Sequence, residues 1–207
     1  MAFSSYKNIG AVVKEFQTTY TESDFIIETP FNINNYFREE LQFMMREGVV
    51  SNSEYAICEN LVYPVLREVW KGYYSKFLLW SHESLTYDEK LSGFPEYILA
   101  KRSTLGKVVL DKPYLLLVEA KQDNFDAAWG QCLAEMIAAQ NLNNVPDTVV
   151  FGIASNGAFW EFGKLESNLF TKHISPYTIY ELDKLFAAVN YIFQECEVQL
   201  EHFPSAA

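Results

Sequence analysis

The chain has 207 residues, of which 49% are hydrophobic and 21% charged, and its net charge is −11. This composition excludes disordered, collagen-like and low-complexity chains, because the apolar content is sufficient for the core of one folded domain. The acidic balance argues against a protein that coats nucleic acid nonspecifically, since such binding depends on neutralising phosphates with Lys and Arg. The apolar runs are far shorter than the about 20 residues that span a bilayer.

The N-terminal segment is expected to be helical. Periodic apolar residues predict two helices and a short strand, over residues 4–18, 36–46 and 25–27. Ser51 and Glu54 form an S-x-x-E capping box, which predicts the start of a third helix. Pro64 lies inside the apolar pattern of that helix and predicts a kink or a division there.

After Gly72 the helical periodicity gives way to short apolar segments, which predict strands. The strongest is 113–121, whose continuous apolar run indicates burial on both faces of a sheet. A helix over 125–141 follows, with Asp123 or Asn124 as its N-cap. The remaining strands are expected at 77–80, 97–100, 148–154 and 159–162, the last two joined by an Asn156-Gly157 hairpin turn.

Thr178 and Glu181 form a second capping box, which opens a long C-terminal helix. The resulting order is α, α, α, β, β, β, α, β, β, β, α. It predicts an α/β fold with a mixed central sheet flanked by helices, additional N-terminal helices and a long C-terminal helix. We expect one domain over 1–207, made of an N-terminal helical extension (1–50), a core (51–175) and the C-terminal helix (176–207).

The start of the chain lacks the basic and apolar regions of a secretory signal. Cys58, Cys132 and Cys196 are far apart, which fits reduced buried thiols better than disulfides or a zinc site. These features predict a cytoplasmic protein without a membrane partner. The charge is uneven: residues 67–121 carry nine basic and seven acidic side chains, or +2, and are the segment best suited to meet a polyanion.

Glu119 and Lys121 end the predicted central strand. Residues i and i+2 of a strand project from the same face, so their side chains lie together, at the strand end where α/β sheets bind ligands. A carboxylate binds hard cations such as Mg²⁺, and an ammonium orients water or neutralises a developing charge. The D/E-x-K pattern alone is weak, because Asp88-Glu89-Lys90 also matches it in a polar connection that we interpret as a solvated turn.

The context of this pair is more specific. Pro95-Glu96 lies one strand earlier, Glu59 lies on the capped helix, and Trp129-Gly130-Gln131 lies on the following helix. With this context the sequence resembles, over residues 51–155, the PD-(D/E)xK phosphodiesterase superfamily, which has the restriction-endonuclease-like fold. It is most similar to small uncharacterised members that carry "VEAK" in the strand and "WGQCLAEM" in the next helix.

The resemblance implies a restriction-endonuclease-like fold and a set of site residues. Glu119 would be a metal ligand and Lys121 would position water or stabilise charge. Glu96 would take the place of the family's aspartate, Glu59 would add a third carboxylate, and Gln131 would be the helix glutamine that faces the site. The cofactor implied is Mg²⁺ or Mn²⁺, as one or two ions.

The sequence departs from the family at two positions. Pro95-Glu96 replaces Pro-Asp, and the longer glutamate must withdraw its carboxylate to keep the ion in place. Glu135 stands where many members with the helix glutamine carry a tyrosine.

The resemblance therefore predicts a metal-dependent nuclease that hydrolyses phosphodiester bonds in nucleic acid. The alternative is a catalytically inactive nuclease-fold module that binds protein or nucleic acid or forms a homodimer, which the net charge and the Pro-Glu pair favour. A third hypothesis is a small-molecule enzyme of another α/β class. The sequence contains no cofactor motif, which argues against it. Each candidate residue also has a purely structural interpretation. Glu119 and Lys121 would form an ion pair at a strand end, and Glu96 would be a strand residue that faces solvent. Glu59 would pair with a Lys or Arg, and Gln131 would be an amide on the helix surface.

Overall fold

The computed structural model describes residues 2–145 and 147–203, except for the side chain of His202. The helices are α1 Ile9–Phe16, α2 Asn35–Glu47, α3 Glu54–Ile57, α4 Tyr63–Trp70, α5 Phe125–Asn143 and α6 Leu182–His202. The strands are β1 Thr19–Ser23, β2 Phe77–Ser81, β3 Leu85–Thr86, β4 Ser92–Gly93, β5 Tyr97–Arg102, β6 Leu110–Ala120, β7 Val150–Ser155, β8 Phe159–Glu166, β9 Leu169–His173 and β10 Tyr177–Thr178. Short 3₁₀ turns occupy Phe3–Ser5 and Ile179–Glu181, and a π turn occupies Cys58–Val62.

Most of the described strands form one mixed sheet in the order β1-β9-β8-β7-β6-β5-β2, with β10 paired to β8. The pairs β6–β7 and β1–β9 are parallel and the remaining pairs are antiparallel. The β6–β7 pair is parallel because α5 carries the chain from the end of β6 back to the start of β7. The predicted fold class, a mixed central sheet flanked by helices with N-terminal helices and a long C-terminal helix, is confirmed.

The sheet has a core on each face. Leu116 and Val118 of β6 face the cluster made with the segment from α3 to α4 and with α6, while Leu117 faces the cluster made with α1 and α5. This double burial explains why β6 is a continuous apolar run rather than an alternating one. No helix among the described residues is long and apolar enough to cross a membrane.

The helix α5 is covered on nearly every side by the sheet and the N-terminal segment. Gly130 allows this close approach, because a Cβ there would lie 2.5 Å from the main-chain nitrogen of Asn8 and 2.8 Å from the carbonyl oxygen of Tyr6. The start of α5 is as predicted, since the Asn124 side chain accepts a hydrogen bond from the Ala127 N–H at 2.9 Å.

The strand expected at 25–27 is wrong. The N-terminal segment instead contributes β1, Thr19–Ser23, which pairs in parallel with β9 at the edge of the sheet. All five residues of β1 are exposed and carry no apolar pattern, so the sequence shows no strand signal there. Phe25 is not part of a strand and packs its ring against His173 at 5.2 Å.

The third helix begins two residues later than its capping box predicts. The Ser53 hydroxyl, not that of Ser51, accepts from the Ala56 N–H at 3.1 Å, which makes Glu54 the first residue of α3. The division expected at Pro64 is confirmed, because a π turn separates α3 from α4. Proline has no N–H to donate and its ring clashes with the carbonyl one turn earlier, which forces this wider turn.

Candidate functional site

Glu119 is a fully buried carboxylate at the end of the central strand β6. Its Oε1 lies 2.6 Å from the Lys121 ammonium, and its Oε2 accepts a hydrogen bond from the Gln131 amide at 2.9 Å. Each oxygen of this carboxylate therefore has one donor, one from the strand exit and one from α5. The structure brings together three of the residues that the sequence singles out.

The backbone explains this convergence. The main-chain N–H of Lys121 donates to the Ser155 carbonyl at 3.0 Å, which continues the β6–β7 ladder one residue past the end of β6. The side chains of Glu119 and Lys121 therefore keep the common direction of residues i and i+2. Gln131 lies in the second turn of α5, which packs on this face of the sheet.

Glu54 is a fourth member of the site that the sequence does not reveal as one. Its Oε2 lies 3.2 Å from the Lys121 ammonium, so this lysine bridges two carboxylates. The sequence suggests for Glu54 only a capping role. The sequence has no signal that separates Glu54 from Glu59, because the face that this helix turns toward the site depends on its neighbours in the fold.

Glu59 lies elsewhere. Its side chain lines a cavity of about 210 Å³ between α2 and the segment from α3 to α4, together with Phe37, Leu41, Met44, Asn60, Pro64 and Arg67. Consecutive helical residues point about 100° apart, so Glu59 turns toward α2 while Cys58 faces the site. Glu54 rather than Glu59 is the helix carboxylate that meets Lys121.

Glu96 precedes β5 and lies close to the pair on β6. Its Oε2 lies 2.7 Å from Nε2 of His82 and 3.4 Å from the Cys58 sulfur. Its side chain is 14% exposed, in contrast to Glu119. The negative charge of Glu96 acts on Glu119 and contributes to the raised pKa of that carboxyl.

Burial dominates the electrostatics of the site. It raises the pKa of Glu119 to about 8, and the carboxylates of Glu96 and Glu54 add to the rise while Lys121 opposes it. For Lys121, burial disfavours the charged form, but Glu119 and Glu54 outweigh it and raise its pKa. Strongly shifted groups of this kind are typical of functional sites, although structural ion pairs produce them too.

Glu135 extends the buried network along α5. Its Oε1 accepts from the Gln131 amide at 3.1 Å, so that amide donates to two carboxyl groups. Its Oε2 is buried without a hydrogen-bond partner among the described residues. Burial and the charge of Glu119 raise the pKa of Glu135 well above its usual range. This residue, marked in the sequence as a departure, therefore adjoins the site.

The side chains present fit a hard divalent cation by chemical type. Glu54, Glu96 and Glu119 supply oxygen donors, and these three carboxylates outnumber the single ammonium of Lys121. Over residues 2–145 and 147–203, no group of three or more His, Cys, Asp or Glu side chains is arranged to hold a metal ion. Both oxygens of Glu119 are already engaged, by Lys121 and Gln131.

The other D/E-x-K match is a solvent-exposed turn, as expected. The Asp88 carboxylate accepts from the main-chain N–H groups of Lys90 and Leu91 at 2.8 and 2.7 Å, which closes the turn between β3 and β4. The Lys90 ammonium pairs with Glu15 on α1 at 2.8 Å. This motif therefore has a structural role away from Glu119.

Lys121 belongs to the site, but four other basic side chains of the segment 67–121 lie away from it. Tyr97, at the start of β5, pairs with Val118 beside Glu119, whereas Arg102, at its end, pairs with Leu110. The strand-end and hairpin cations are Lys101, Arg102, Lys107 and Lys112. They occupy the opposite end of the β5–β6 pair, so the positive charge counted along the sequence does not surround Glu119.

Comparisons with known proteins find similarity among solved structures. No protein-family model matches the chain, and no curated protein sequence is similar to it. A solved structure of the type IIG restriction endonuclease BpuSI is similar, with a TM-score of 0.44 and 15% sequence identity. The similarity covers 76% of this chain but 18% of that protein, so the chain spans less than a fifth of its length.

Proposed function

We propose that this protein is a metal-dependent nuclease of the PD-(D/E)xK type, which hydrolyses phosphodiester bonds in nucleic acid. The observation that carries the proposal is the position of the Lys121 ammonium between the carboxylates of Glu119 and Glu54 at the exit of β6, with Glu96 beside them. The sequence resemblance supplies the same pairing of a carboxylate and a lysine at this strand end. The restriction-endonuclease-like assignment of the fold is part of the proposal.

Each side chain has a defined role in this proposal. Glu54, Glu96 and Glu119 would hold one or two Mg²⁺ or Mn²⁺ ions, with Glu54 in the place that the sequence assigns to Glu59. Such an ion, when bound, supplies Lewis-acid polarisation of the scissile phosphate. Lys121 orients the attacking water or neutralises the charge that develops on the phosphoryl oxygens. Gln131 fixes the Glu119 carboxylate through its hydrogen bond to Oε2.

The test is cleavage of labelled single- and double-stranded DNA and RNA, with Mg²⁺ or Mn²⁺, by the wild type and by Lys121→Ala. The matched control is Lys172→Ala, because Lys172 is also partly buried and pairs with Glu161 at 2.8 Å, on the β8–β9 side of the sheet. We expect metal-dependent cleavage by the wild type and the control. Lys121→Ala should be slower by about 10²–10³-fold, the usual cost of a lost charge-stabilising group.

Two outcomes contradict the proposed mechanism. Equal cleavage by Lys121→Ala and the wild type would remove the lysine from the reaction and indicate a contaminating nuclease. Absence of cleavage by a folded wild type on all four substrates would remove the nuclease activity itself.

The alternative function is a catalytically inactive module of the same fold that binds protein or nucleic acid, alone or as a homodimer. Two observations favour it: both oxygens of Glu119 are engaged within the protein, and the cations of the β5–β6 hairpin lie at the far end of the strands. It predicts no saturable Mn²⁺ binding. A calorimetric Mn²⁺ titration of the wild type and Glu119→Gln separates the two functions, since a nuclease should bind the ion and lose it on substitution.

A further inference from the structure

His82 immediately follows β2 and has a left-handed main chain, with φ of 51°. Few residues other than glycine adopt this conformation, and it persists where the surroundings hold it in place. Here the main-chain N–H of His82 donates to the carbonyl of Glu96 at 3.0 Å, across the β2–β5 pair. The backbone therefore ties the position of His82 to that of Glu96.

The imidazole of His82 is held at both ring nitrogens. Its Nε2 lies 2.7 Å from Oε2 of Glu96, and its Nδ1 lies 2.8 Å from the Ser81 hydroxyl oxygen. An ionised carboxylate only accepts hydrogen bonds, so Nε2 carries a hydrogen and donates it to Glu96, while Nδ1 shares a hydrogen bond with the Ser81 hydroxyl. The ring also contacts the rings of Tyr55 and Tyr97, with centroids 6.2 and 6.1 Å away.

These contacts give Glu96 an anchor at one oxygen. The Cys58 thiol, a weak donor, reaches the same Oε2 at 3.4 Å, so His82 makes the shorter and stronger contact. Both donors found for this carboxylate within the described residues converge on Oε2, and Oε1 stays available to another partner. A glutamate side chain has one more rotatable bond than an aspartate and loses more conformational freedom when it is fixed.

We propose that His82 is a positioning residue that holds the Glu96 carboxylate in place for the divalent cation of the candidate site. The effect on the cation and on cleavage rests on the proposed nuclease function, whereas the anchoring of Glu96 does not. Groups that orient a metal ligand from outside the coordination sphere commonly change metal affinity by about 10–100-fold. The mechanism assigned to Glu54, Glu119 and Lys121 uses no contact from this histidine.

Two substitutions separate the two nitrogens of the ring. In His82→Gln the side-chain amide nitrogen takes the place of Nε2 and can still donate to Glu96. In His82→Asn the shorter amide takes the place of Nδ1, keeps the contact to Ser81 and cannot reach Glu96. Asparagine tolerates the left-handed main chain better than glutamine does, so an effect of backbone strain would make His82→Gln the worse variant.

The first measurement is the position of the Glu96 carboxylate in crystal structures of the wild type and both variants. We expect the wild type and His82→Gln to share one carboxylate position, and His82→Asn to show it displaced or in several conformations. An unchanged Glu96 in His82→Asn would overturn the proposal. This measurement needs neither a metal ion nor a substrate.

The second measurement is Mn²⁺ affinity by calorimetry together with kcat and KM for cleavage. His82→Asn should bind Mn²⁺ about 10-fold or more weakly than the wild type and lose kcat with little change in KM, and His82→Gln should recover most of both. Equal Mn²⁺ affinity in His82→Asn and the wild type would overturn the proposal. If the wild type binds no Mn²⁺, the proposed nuclease function fails, and the crystal structures still decide whether His82 positions Glu96.

Discussion

The two ends of the β5–β6 pair carry charges in opposite environments. At the end where Tyr97 pairs with Val118, Lys121 contacts Glu119 and Glu54, and Glu119 has no solvent exposure. At the other end, about 17 Å away at about 3.3 Å per residue, cations such as Lys107 lie on an exposed hairpin. Burial, rather than the charge counted along the sequence, therefore decides where these groups have strong energetic effects.

The difference also bears on substrate binding. The exposed end has the sign of charge that attracts phosphates, whereas the buried end has the oxygen donors that attract a cation. A nuclease needs both, and a divalent cation at the acidic end would supply positive charge next to Lys121. The proposed function therefore depends on a bound cation to a greater extent than it would if the basic side chains surrounded the site.

The largest expected effect that tests this comparison is on stability at the buried end. Lys121→Ala removes the ammonium from the buried Glu119 carboxyl, which must then bind a proton that the unfolded state releases at pH 8, and removal of one partner of a buried ion pair costs about 3 kcal/mol. Lys107→Ala, at the exposed end, should change the free energy of unfolding by less than about 0.5 kcal/mol. Urea unfolding of the two variants at pH 8 measures both values. Similar losses in both variants would show that burial does not distinguish the two ends.

An intermediate effect is expected at Glu135. Its replacement by Met removes a buried carboxyl group whose Oε2 has no hydrogen-bond partner among the described residues, and it keeps a side chain of similar length. We expect the free energy of unfolding to rise by about 1 kcal/mol, because apolar replacement of a buried polar group that lacks a hydrogen-bond partner is neutral or stabilising. The control is Glu39→Met, on the exposed face of α2, which should have no measurable effect. A loss of stability in Glu135→Met would indicate that this carboxyl has a stabilising partner in solution.

The smallest expected effect concerns His173, a buried ionisable group that lies at neither end of the β5–β6 pair. It tests whether burial also decides the energetic effect of an ionisable group there. Burial lowers the pKa of His173, with Asp24 opposing the shift, and its Nδ1 accepts from the Phe25 N–H at 3.2 Å. The unfolded state therefore binds a proton more readily than the folded state, so stability falls as the pH drops below about 6.5. His173→Asn keeps an acceptor near Nδ1 and should remove this loss, which we expect to be below about 1 kcal/mol.

Thermal unfolding of His173→Asn at several values between pH 5 and pH 7.5, compared with the wild type, measures this effect. Asp24→Asn is the matched variant, because removal of the opposing carboxylate should make the loss at low pH steeper. A wild-type pH dependence that is identical in all three proteins would exclude His173 as its source.

The sequence predicts the contact between Glu119 and Lys121, because that contact depends on local geometry. Glu119 and Lys121 are two residues apart on a strand, and strand alternation alone places their side chains together. Gln131 is expected only from the family resemblance, and its contact with Glu119 depends on how α5 returns over the sheet between two parallel strands. The roles of these residues in metal binding and hydrolysis remain proposals.

Local geometry could not decide which helix carboxylate, Glu54 or Glu59, contacts Lys121. Glu54 and Glu59 lie on one predicted helix, and a face can be assigned only when the neighbours of that helix are known. The π turn at Cys58–Val62 widens the helix between them, so an α-helical period drawn through both positions is misleading. His82 has no signal in the local sequence, because its contact with Glu96 depends on the register of β2 against β5.

By itself, the sequence determined the buried central strand, the helix that follows it, the division of the helix at Pro64 and the pairing of Glu119 with Lys121. Each of these depends on main-chain preferences or side-chain periodicity within a few residues, which the local sequence carries. Only the tertiary structure decided that Glu54 meets Lys121, that β1 forms an edge strand and that the cations of the β5–β6 hairpin lie far from the site. These contacts join segments distant in sequence, and they depend on which faces pack together when both sides of the sheet are buried.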